Sequence, residues 1–265
     1  MKPTKAGKIH YLEPELLSAA DVTAHGFTTR HEGVSRPPYN SLNLGTSTLD
    51  FSHNVDGNRH LLAHAFGGRP EQFVAVTQVH GVDLLVIDSP NPDYQHFQRL
   101  ECDGIITNQP KIMIGVSVAD CVPLLLLDPE QRVVAALHAG WKGSAGNIAG
   151  KAVAAMVSLF GSDPGKIIAA VGPSIKPCCY QIDTPVMEAF RCQGEAFERF
   201  AEPDGDSAWR LDMAAINVAQ LRDAGLKGAN IEVAAQCVSC NPQLFFSYRR
   251  DNGDTGRQMG FIMLK

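Results

Sequence analysis

Three residues of the sequence carry the side chains that metal binding or thiol chemistry requires. They are His80, Cys121 and His138, and each stands at the end of an apolar run beside small or turn-forming residues. One thiolate and two imidazoles suit zinc, and three protein ligands leave a fourth position open for water or substrate. The residue types therefore predict an open zinc site, although no compact ligand motif such as HExxH is present.

The same side chains allow two other interpretations. Cys121 is a candidate nucleophile, and either His138 or His80 is a candidate base. Asp120 or Gln78 would then orient that base, and Gln78 is also a candidate substrate contact. Alternatively, the thiol is simply buried and the two histidines are hydrogen-bonded elsewhere. Spacing alone leaves all three interpretations open.

Further polar groups are candidates for holding an anion. Arg249, Arg250 and Arg257 concentrate guanidinium groups near the C-terminus, and such a cluster can bind phosphate or carboxylate in a bidentate manner. The alternative is a charged edge strand that discourages aggregation between sheets. Asn43 and Arg59 are two more candidate substrate contacts.

The other cysteines receive no role from the sequence. Cys237 and Cys240 form a C-x-x-C pair, which is half of a zinc site or a redox dithiol, but no second pair of that spacing completes a four-sulfur site. Cys178 and Cys179 are adjacent and poorly placed for an ordinary disulfide. We therefore expect all four to be buried free thiols.

Buried strands are expected to position these groups. Apolar runs at 114–118, 122–127 and 133–137 are bounded by turn residues, which is typical of strands buried on both faces. A tight turn between the last two runs would bring Cys121 and His138 alongside each other. Further strands are predicted at 73–79, 83–87, 167–171 and 231–235, with a hairpin of 244–250 and 257–264 around the turn at 251–254.

Four segments have helical spacing of apolar residues. Helices are predicted at 50–66, 147–160, 184–200 and 213–224, the last with Asp212 as its N-cap. Residues 1–10 have no periodic pattern, and we expect a loose segment there. The sequence predicts a single domain over 1–265, of mixed α and β structure with strands at its centre.

Composition excludes several classes of protein. The chain has 265 residues, of which 45% are hydrophobic and 19% charged, and its net charge of −5 provides no basic field for nucleic acid or anionic membrane. The longest apolar run is too short to cross a bilayer, and no signal peptide is visible. Seven cysteines, an odd number, do not resemble a disulfide framework, so a reducing cytoplasm is expected.

Several ligand-binding motifs are also missing from the sequence. There is no GxGxxG after a strand and no GxxxxGK[ST], so ordinary dinucleotide or P-loop binding is not indicated. The H-x-E and P-C-x-x-C signature of zinc nucleobase deaminases does not occur. The sequence also has no His-x-His pair, which argues against a conventional multicopper cluster.

Five sequence blocks occur in a fixed order along the chain. They are TQVHG (77–81), ADCVPLLLLDP (119–129), LHAGWKG (137–143), VGPSI with CCYQ (171–181) and FFSYRRDNGDTGRQMGFI (245–262). Together they resemble the YfiH family, which is also called the polyphenol oxidase or laccase-domain family. The resemblance extends from about His25 to the C-terminus.

The resemblance implies both a fold and an activity. The fold would be an α+β arrangement, a mixed β-sheet sandwich flanked by helices and grouped with cysteine hydrolases. His80, Cys121 and His138 would bind zinc in a pocket, or copper according to an older label of the family. The activity would be phosphorolysis of adenosine, inosine, guanosine and methylthioadenosine, with some adenosine deamination. The partners would be these nucleosides and phosphate, and we expect a monomer or a weak homodimer.

In phosphorolysis, zinc or nearby arginines would orient phosphate, and Asp120 or a ring nitrogen would move the proton.

The residues also leave other functions open. A cysteine hydrolase acting on an amide or a peptidoglycan precursor would instead form a covalent adduct on Cys121. A copper phenol oxidase would consume oxygen with phenols, and a metal-carrying interaction protein would turn over no nucleoside.

Overall fold

The structure is a computed structural model, and it describes residues 1–90, 92–97, 99–192 and 195–265. Within that part of the chain, the strands in order are β1 (Lys2–Ala6), β2 (Ile9–Glu13), β3 (Thr23–Thr28), β4 (Phe73–Val74), β5 (Leu84–Ile87), β6 (Gly104–Thr107), β7 (Met113–Val118), β8 (Val122–Asp128), β9 (Val133–Ala139), β10 (Ile168–Val171), β11 (Gln181–Asp183), β12 (Ala201–Pro203), β13 (Ala208–Leu211), β14 (Ile231–Val233) and β15 (Gln258–Leu264).

The helices of the same residues are interspersed between these strands. They are α1 (Glu15–Ala19), α2 (Ser52–Ala65), α3 (Tyr94–Phe97), α4 (Trp141–Ala145), α5 (Ile148–Phe160), α6 (Thr184–Arg191) and α7 (Met213–Asp223). Short 3₁₀ helices lie at Pro70–Gln72, Pro164–Lys166, Glu195–Phe200 and Gly228–Asn230. Among the described residues, none of these helices has the length and apolar character that crossing a membrane requires.

Two six-stranded mixed sheets form the centre of the molecule. The first has the strand order β1-β2-β3-β15-β7-β4, and the second has the order β14-β10-β8-β9-β6-β5. Most neighbouring strands are antiparallel, while β4 with β7, β5 with β6, and β10 with β14 are parallel. A third sheet, β11-β13-β12, is antiparallel and smaller. The predicted sandwich of mixed sheets flanked by helices is confirmed.

Alternation along β8 explains why the second sheet is buried on both faces. Leu124 and Leu126 pack against the helices, whereas Leu125 and Leu127 pack against the first sheet, and all four are 0% exposed. Successive side chains of a strand point to opposite faces, so a continuous apolar run requires a cover on each face. Burying a leucine side chain contributes about 1.5–3 kcal/mol, so these residues fix the position of β8 strongly.

The helices cover the outer faces, as their sequence pattern predicts. Helix α5 packs on the second sheet, and its N-cap is Asn147, whose side chain accepts a hydrogen bond from the amide of Gly150. It ends at Gly161, where φ of +71° favours glycine. Asp212 caps α7 by accepting a hydrogen bond from the amide of Ala215, as predicted.

The predicted C-terminal hairpin is wrong in its first arm. A turn does occur at the predicted place, but residues 244–250 form no strand. Both edges of β15 are already paired, with β3 on one side and β7 on the other, so a hairpin partner has no free edge. The segment is held by side chains instead, and Gln258 bonds to both the amide and the carbonyl of Phe246.

Three other predictions differ from the structure by more than two residues. Residues 1–10 are not loose, because β1 pairs with β2 through its backbone, and an exposed edge strand needs no apolar pattern. The strand predicted at 73–79 ends at Val74, where the chain leaves β7. The helix predicted at 184–200 ends at Arg191 and a 3₁₀ helix follows from Glu195, while residues 193 and 194 of that prediction lie outside the described residues.

Candidate active site

The pairing of β8 with β9 brings a thiol and an imidazole together. The two strands are antiparallel, with Pro123 opposite His138, so the start of β8 lies beside the end of β9. Cys121 immediately precedes β8, and His138 is the next-to-last residue of β9. The predicted proximity of these two residues is therefore confirmed, and buried strands on either side fix it.

A buried aspartate fixes the two histidines. Asp103 immediately precedes β6 and is 0% exposed, and its carboxylate accepts a hydrogen bond of 2.7 Å from Nδ1 of His138. The same carboxylate accepts hydrogen bonds from the backbone amides of Val79, His80 and Gly81, at 3.1, 3.0 and 2.6 Å. The loop that carries His80 is thus attached to the group that orients His138.

The three predicted ligands meet at one point. Sγ of Cys121 lies 3.9 Å from Nε2 of His80, and the rings of His80 and His138 are 4.7 Å apart at 79°. One donor atom from each of the three residues lies within 4.8 Å of the other two. Gly140 permits this approach, since a Cβ there would lie 2.7 Å from Cδ2 of His80.

Charge within this group favours a thiolate and an imidazolium. Burial alone would raise the pKa of Cys121, but the positive charge of His138 and hydrogen bonds from both histidines lower it to about 6. Burial would lower the pKa of His138, yet the Cys121 thiolate and the Asp103 carboxylate raise it to about 9. For Asp103, the same hydrogen bonds outweigh burial and hold the pKa of its carboxyl below the ordinary value.

The donor set fits a transition-metal ion. Because Asp103 holds Nδ1 of His138, the Nε2 atom of that ring is left for the ion, and a carboxylate behind a metal-binding histidine is a common arrangement. Two imidazoles and a thiolate match zinc, and they also match copper. His80, Cys121 and His138 could therefore hold such an ion.

A cavity of about 920 Å³ opens above the three donors. Its walls combine cationic, aromatic, hydroxyl and apolar side chains. Besides the donors, the residues that line it include Thr46, Ser47, Arg59, Gln78, Asp120, Trp141, Tyr180, Ile182, Val186, Tyr248, Arg249 and Arg257. This volume is in the range of small-molecule sites, so the cavity is large enough for a nucleoside and an anion together.

Comparison with known proteins identifies the family. The family model described as multi-copper polyphenol oxidoreductase laccase matches residues 24–265. The chain belongs to this laccase-like YfiH family. The resemblance seen in the sequence blocks is thereby confirmed.

Relatives of the YfiH-family chain include named enzymes. Purine nucleoside phosphorylase YlmD of Bacillus subtilis (strain 168) is 36% identical over 244 residues, which is 91% of this chain and 88% of YlmD. A purine nucleoside phosphorylase of Deinococcus radiodurans is 40% identical over 240 residues, with the same coverage of 91% and 88%. The crystal structure of the hypothetical protein YfiH of Bacillus licheniformis matches with a TM-score of 0.91 at 33% identity, over 98% of each chain.

Two of the predicted substrate-binding arginines line the cavity of this YfiH-family chain. Arg59 donates from Nε and Nη2 to the carbonyl of Leu44, and burial lowers its pKa to about 10, which leaves it charged at neutral pH. Arg249 lies over the ring of Tyr180, and its Nη1 donates to the carbonyl of Gln181. Each guanidinium is thus partly held in place by the protein.

Asp120 and Gln78 also line the cavity, and both are fixed by hydrogen bonds. The carboxylate of Asp120 accepts 2.6 Å hydrogen bonds from Oγ of Ser247 and from the amide of Arg249. Burial raises the pKa of Asp120 despite these bonds. Gln78 bonds through its side chain to both the amide and the carbonyl of Ser117, at 2.8 and 2.9 Å.

Asn43 and Arg250 do not lie among the described residues that line the cavity. Asn43 is fully buried and accepts hydrogen bonds from the amides of Gly45 and Arg257. Arg250 pairs with Asp251 and donates to the carbonyl of Phe245. Neither residue fits the predicted role of a substrate contact, because each side chain forms hydrogen bonds within the protein that hold a loop.

Sequence reasoning missed the group that orients the site. It offered Asp120 or Gln78 for this role, whereas the structure gives it to Asp103. A signal was present, since Asp103 directly precedes the apolar run of β6 just as Cys121 precedes β8. Tyr180 of the cavity wall belongs to the CCYQ block, but nothing in its spacing indicated a position beside Arg249.

Proposed function

We propose that the protein is a zinc-dependent purine nucleoside phosphorylase with accessory adenosine deaminase activity. It would convert adenosine, inosine, guanosine or methylthioadenosine and phosphate into the free base and a pentose 1-phosphate. The observation that carries this proposal is the placement of two imidazoles and a thiolate in a cavity that also has arginine and aromatic walls. The names of the relatives from Bacillus subtilis and Deinococcus radiodurans support it.

The zinc ion would be held by His80, Cys121 and His138. Bound there, zinc would supply Lewis-acid charge next to the reacting atoms. Asp103 would keep His138 in the tautomer whose Nε2 is free to bind the ion. We prefer zinc to copper because three donors with an open fourth position are typical of catalytic zinc sites.

Phosphate would bind on the wall formed by the loop 43–48. Arg59 is bonded to the carbonyl of Leu44 in this loop, and the side chain of Arg257 lies against Gly45. Thr46 and Ser47 of the same loop line the cavity. Two guanidinium groups and two hydroxyl-bearing residues on one wall match an anion of this size, since arginine binds phosphate through paired hydrogen bonds.

The purine would bind against a second, less polar wall. Tyr180, Ile182 and Val186 line the cavity there, and Trp141 adds a second large aromatic ring. Aromatic faces bind flat rings through burial and stacking, which do not require a particular purine substituent. This wall would therefore accept several purines, as the proposed substrate range requires.

Phosphorolysis then needs positioning and the handling of one proton. Phosphate must attack C1′ of the ribose while the bond from C1′ to the purine nitrogen breaks, and the departing base takes a proton. Holding both reactants in one cavity supplies much of the rate enhancement. We assign the proton transfer to Asp120, a cavity carboxyl group whose raised pKa favours a bound proton. Adenosine deamination would instead have water attack C6 of the purine, from which ammonia leaves.

Zinc-loaded protein incubated with adenosine, with and without phosphate, tests the proposal by chromatography. We expect adenine and ribose 1-phosphate only when phosphate is present, and a smaller amount of inosine. The Cys121→Ala variant should form none of these products, while Cys192→Ala, which changes an exposed cysteine elsewhere, should match the wild type. Adenosine that remains unchanged, or a fully active Cys121→Ala variant, would contradict the proposal.

A cysteine hydrolase is the second candidate function, and one observation favours it. Cys121, His138 and Asp103 form the nucleophile, base and orienting group of a hydrolase triad, with the thiol already inclined to ionise. This function predicts a covalent adduct on Cys121, detectable by mass spectrometry, and activity on an amide that survives chelators. Oxygen consumption with phenols by copper-loaded protein would instead indicate the phenol oxidase.

A further inference from the structure

A second group of potential metal ligands lies outside the site described above. We call Cys178, Cys179, Cys237 and Cys240 the four-cysteine cluster. Their sulfur atoms all lie within 4.8 Å of one another, although the two pairs are some sixty residues apart in the chain. Sequence reasoning expected four buried thiols without a partner, but the fold joins the pairs, and Cys178 and Cys240 are exposed.

The spacing of the sulfur atoms suits one tetrahedral ion. Sγ of Cys240 lies 3.6 Å from Sγ of Cys178 and 3.3 Å from Sγ of Cys179. Four sulfurs at about 2.3 Å from a central zinc stand roughly 3.8 Å apart, which is close to these distances. A disulfide would require about 2.05 Å, and none of the four is disulfide-bonded.

The local backbone has the form of a metal-binding turn. Cys237 and Cys240 are spaced as C-x-x-C, and the backbone amides of Lys176 and Cys240 are near enough to the thiol of Cys237 to favour its ionised form. Amide groups directed at a sulfur stabilise the thiolate that a metal requires. Cys178 and Cys179 lie in a turn closed by a hydrogen bond of 2.9 Å from the amide of Cys179 to the carbonyl of Lys176.

Nearby cations would offset the charge of such a site. A zinc ion with four thiolates carries a net charge of −2, which is costly unless it is balanced. The ammonium group of Lys176 lies close enough to Cys178 and Cys237 to interact with their charge. Arg210 donates from Nη1 to the carbonyl of Cys178.

We propose that the four-cysteine cluster is a structural zinc site, separate from the cavity. Zinc would displace the thiol protons and join the turn 176–180 to the turn 237–240. This proposal does not depend on the proposed enzymatic function. Its physical role would be to fix two parts of the cavity wall, because Tyr180 of the first turn lines the cavity and the second turn is bonded to Arg250, next to the cavity residue Arg249.

Contacts between the two turns and the cavity support this role. Tyr180 is the last residue of the first turn and lies under the guanidinium of Arg249. The second turn is bonded to the residue next to Arg249, since Nη1 of Arg250 donates to the carbonyls of Val238 and Ser239. An ion in the cluster would therefore hold the aromatic wall at a fixed distance from Arg249.

Metal content in a Cys121→Ala background tests the site without interference from the three cavity donors. Protein purified with reductant and zinc, then dialysed, should retain an equimolar amount of zinc. Adding Cys178→Ser or Cys240→Ser, both changes of exposed residues, should remove that zinc, whereas adding Cys192→Ser should not. Cobalt exchanged into the background protein should give the strong sulfur-to-cobalt absorption of a four-thiolate site.

Three outcomes would overturn the proposal, and a fourth would overturn only the zinc of the proposed enzyme. A Cys121→Ala protein that retains no zinc while all its thiols titrate as reduced shows that the cluster is only four free thiols. Missing thiols in a denatured, unreduced sample show disulfides instead. Zinc that persists in both the Cys178→Ser and Cys240→Ser proteins belongs elsewhere. If wild-type protein holds the same equimolar zinc as Cys121→Ala, the cluster site stands and the zinc of the proposed enzyme fails.

Discussion

Replacement of Asp103 by asparagine tests how the whole active site is positioned. Oδ1 of Asp103 accepts hydrogen bonds from the amide of His80 and the ring of His138, and Oδ2 accepts from the amides of Val79 and Gly81. An amide NH₂ in place of either oxygen faces two donors, so half of these bonds are lost whichever way the amide turns. Hydrogen bonds to a charged group contribute about 1.5–3 kcal/mol each, so the free energy of unfolding should fall by roughly 3–6 kcal/mol.

Zinc affinity should fall in the same variant. If the NH₂ group faces His138, Nδ1 must accept instead of donate, and the ring proton moves to Nε2, the atom needed for the ion. Loss of such a supporting group weakens metal affinity by about 10–100-fold. Competition with a chromophoric chelator measures this affinity, and urea denaturation measures stability. Asp83→Asn makes the same chemical change on an exposed side chain nearby and should alter neither value. Wild-type affinity and stability in Asp103→Asn would refute the reasoning.

Three further predictions follow from individual contacts. Asp120→Asn can keep both contacts of the side chain, since the amide can accept a hydrogen bond from the backbone of Arg249 and donate one to Ser247. If Asp120 transfers the proton, kcat of this variant should fall by about 100-fold or more while KM is unchanged. An unchanged kcat would exclude that role. Arg257→Gln should raise the KM for phosphate by roughly 10–100-fold and that for adenosine much less, and equal effects on both would place phosphate elsewhere. Burial outweighs a hydrogen bond to the carbonyl of Pro14 and lowers the pKa of His25 below 6.5. Because the unfolded chain then takes up this proton more readily than the folded one, the stability that neutral His25 provides above that pH is lost as pH falls. Urea denaturation between about pH 7 and 5 should therefore show a smaller decline for His25→Asn than for the wild type, and equal declines would contradict this assignment.

Sequence reasoning was most successful where the apolar runs of two consecutive strands decide the geometry. The runs that become β8 and β9 are apolar at every position, which requires burial on both faces, and the turn between them leaves only one register for Cys121 and His138. The C-terminal hairpin failed for the opposite reason. The turn residues predict only the local bend, whereas the pairing of a strand depends on strands that are distant in the sequence. Because β3 and β7 occupy both edges of β15, residues 244–250 have no edge of β15 to pair with.

The same distinction explains the groups that were missed. Asp103 acts through four hydrogen bonds to two segments on either side of it in sequence, and no local pattern reports them. The four-cysteine cluster depends on the parallel bridge between Ser174 and Cys237, which aligns two loops that are far apart in the chain. The sequence contains each pair of cysteines, whereas only the fold places one pair against the other.

Cys121 lies at a crossing between sheets, and this position would link binding of the proposed metal ion to binding of the proposed substrate. The chain leaves the first sheet at the end of β7 and enters the second at β8, and the short connection includes Asp120 with φ of +99°. Such a conformation is strained for a side chain other than glycine and persists only where its surroundings enforce it. Here Ser247 and the amide of Arg249 enforce it through the carboxylate. A ligand that moves Arg249 must therefore act on the backbone next to the Cys121 thiol, so substrate and metal should influence each other's affinity.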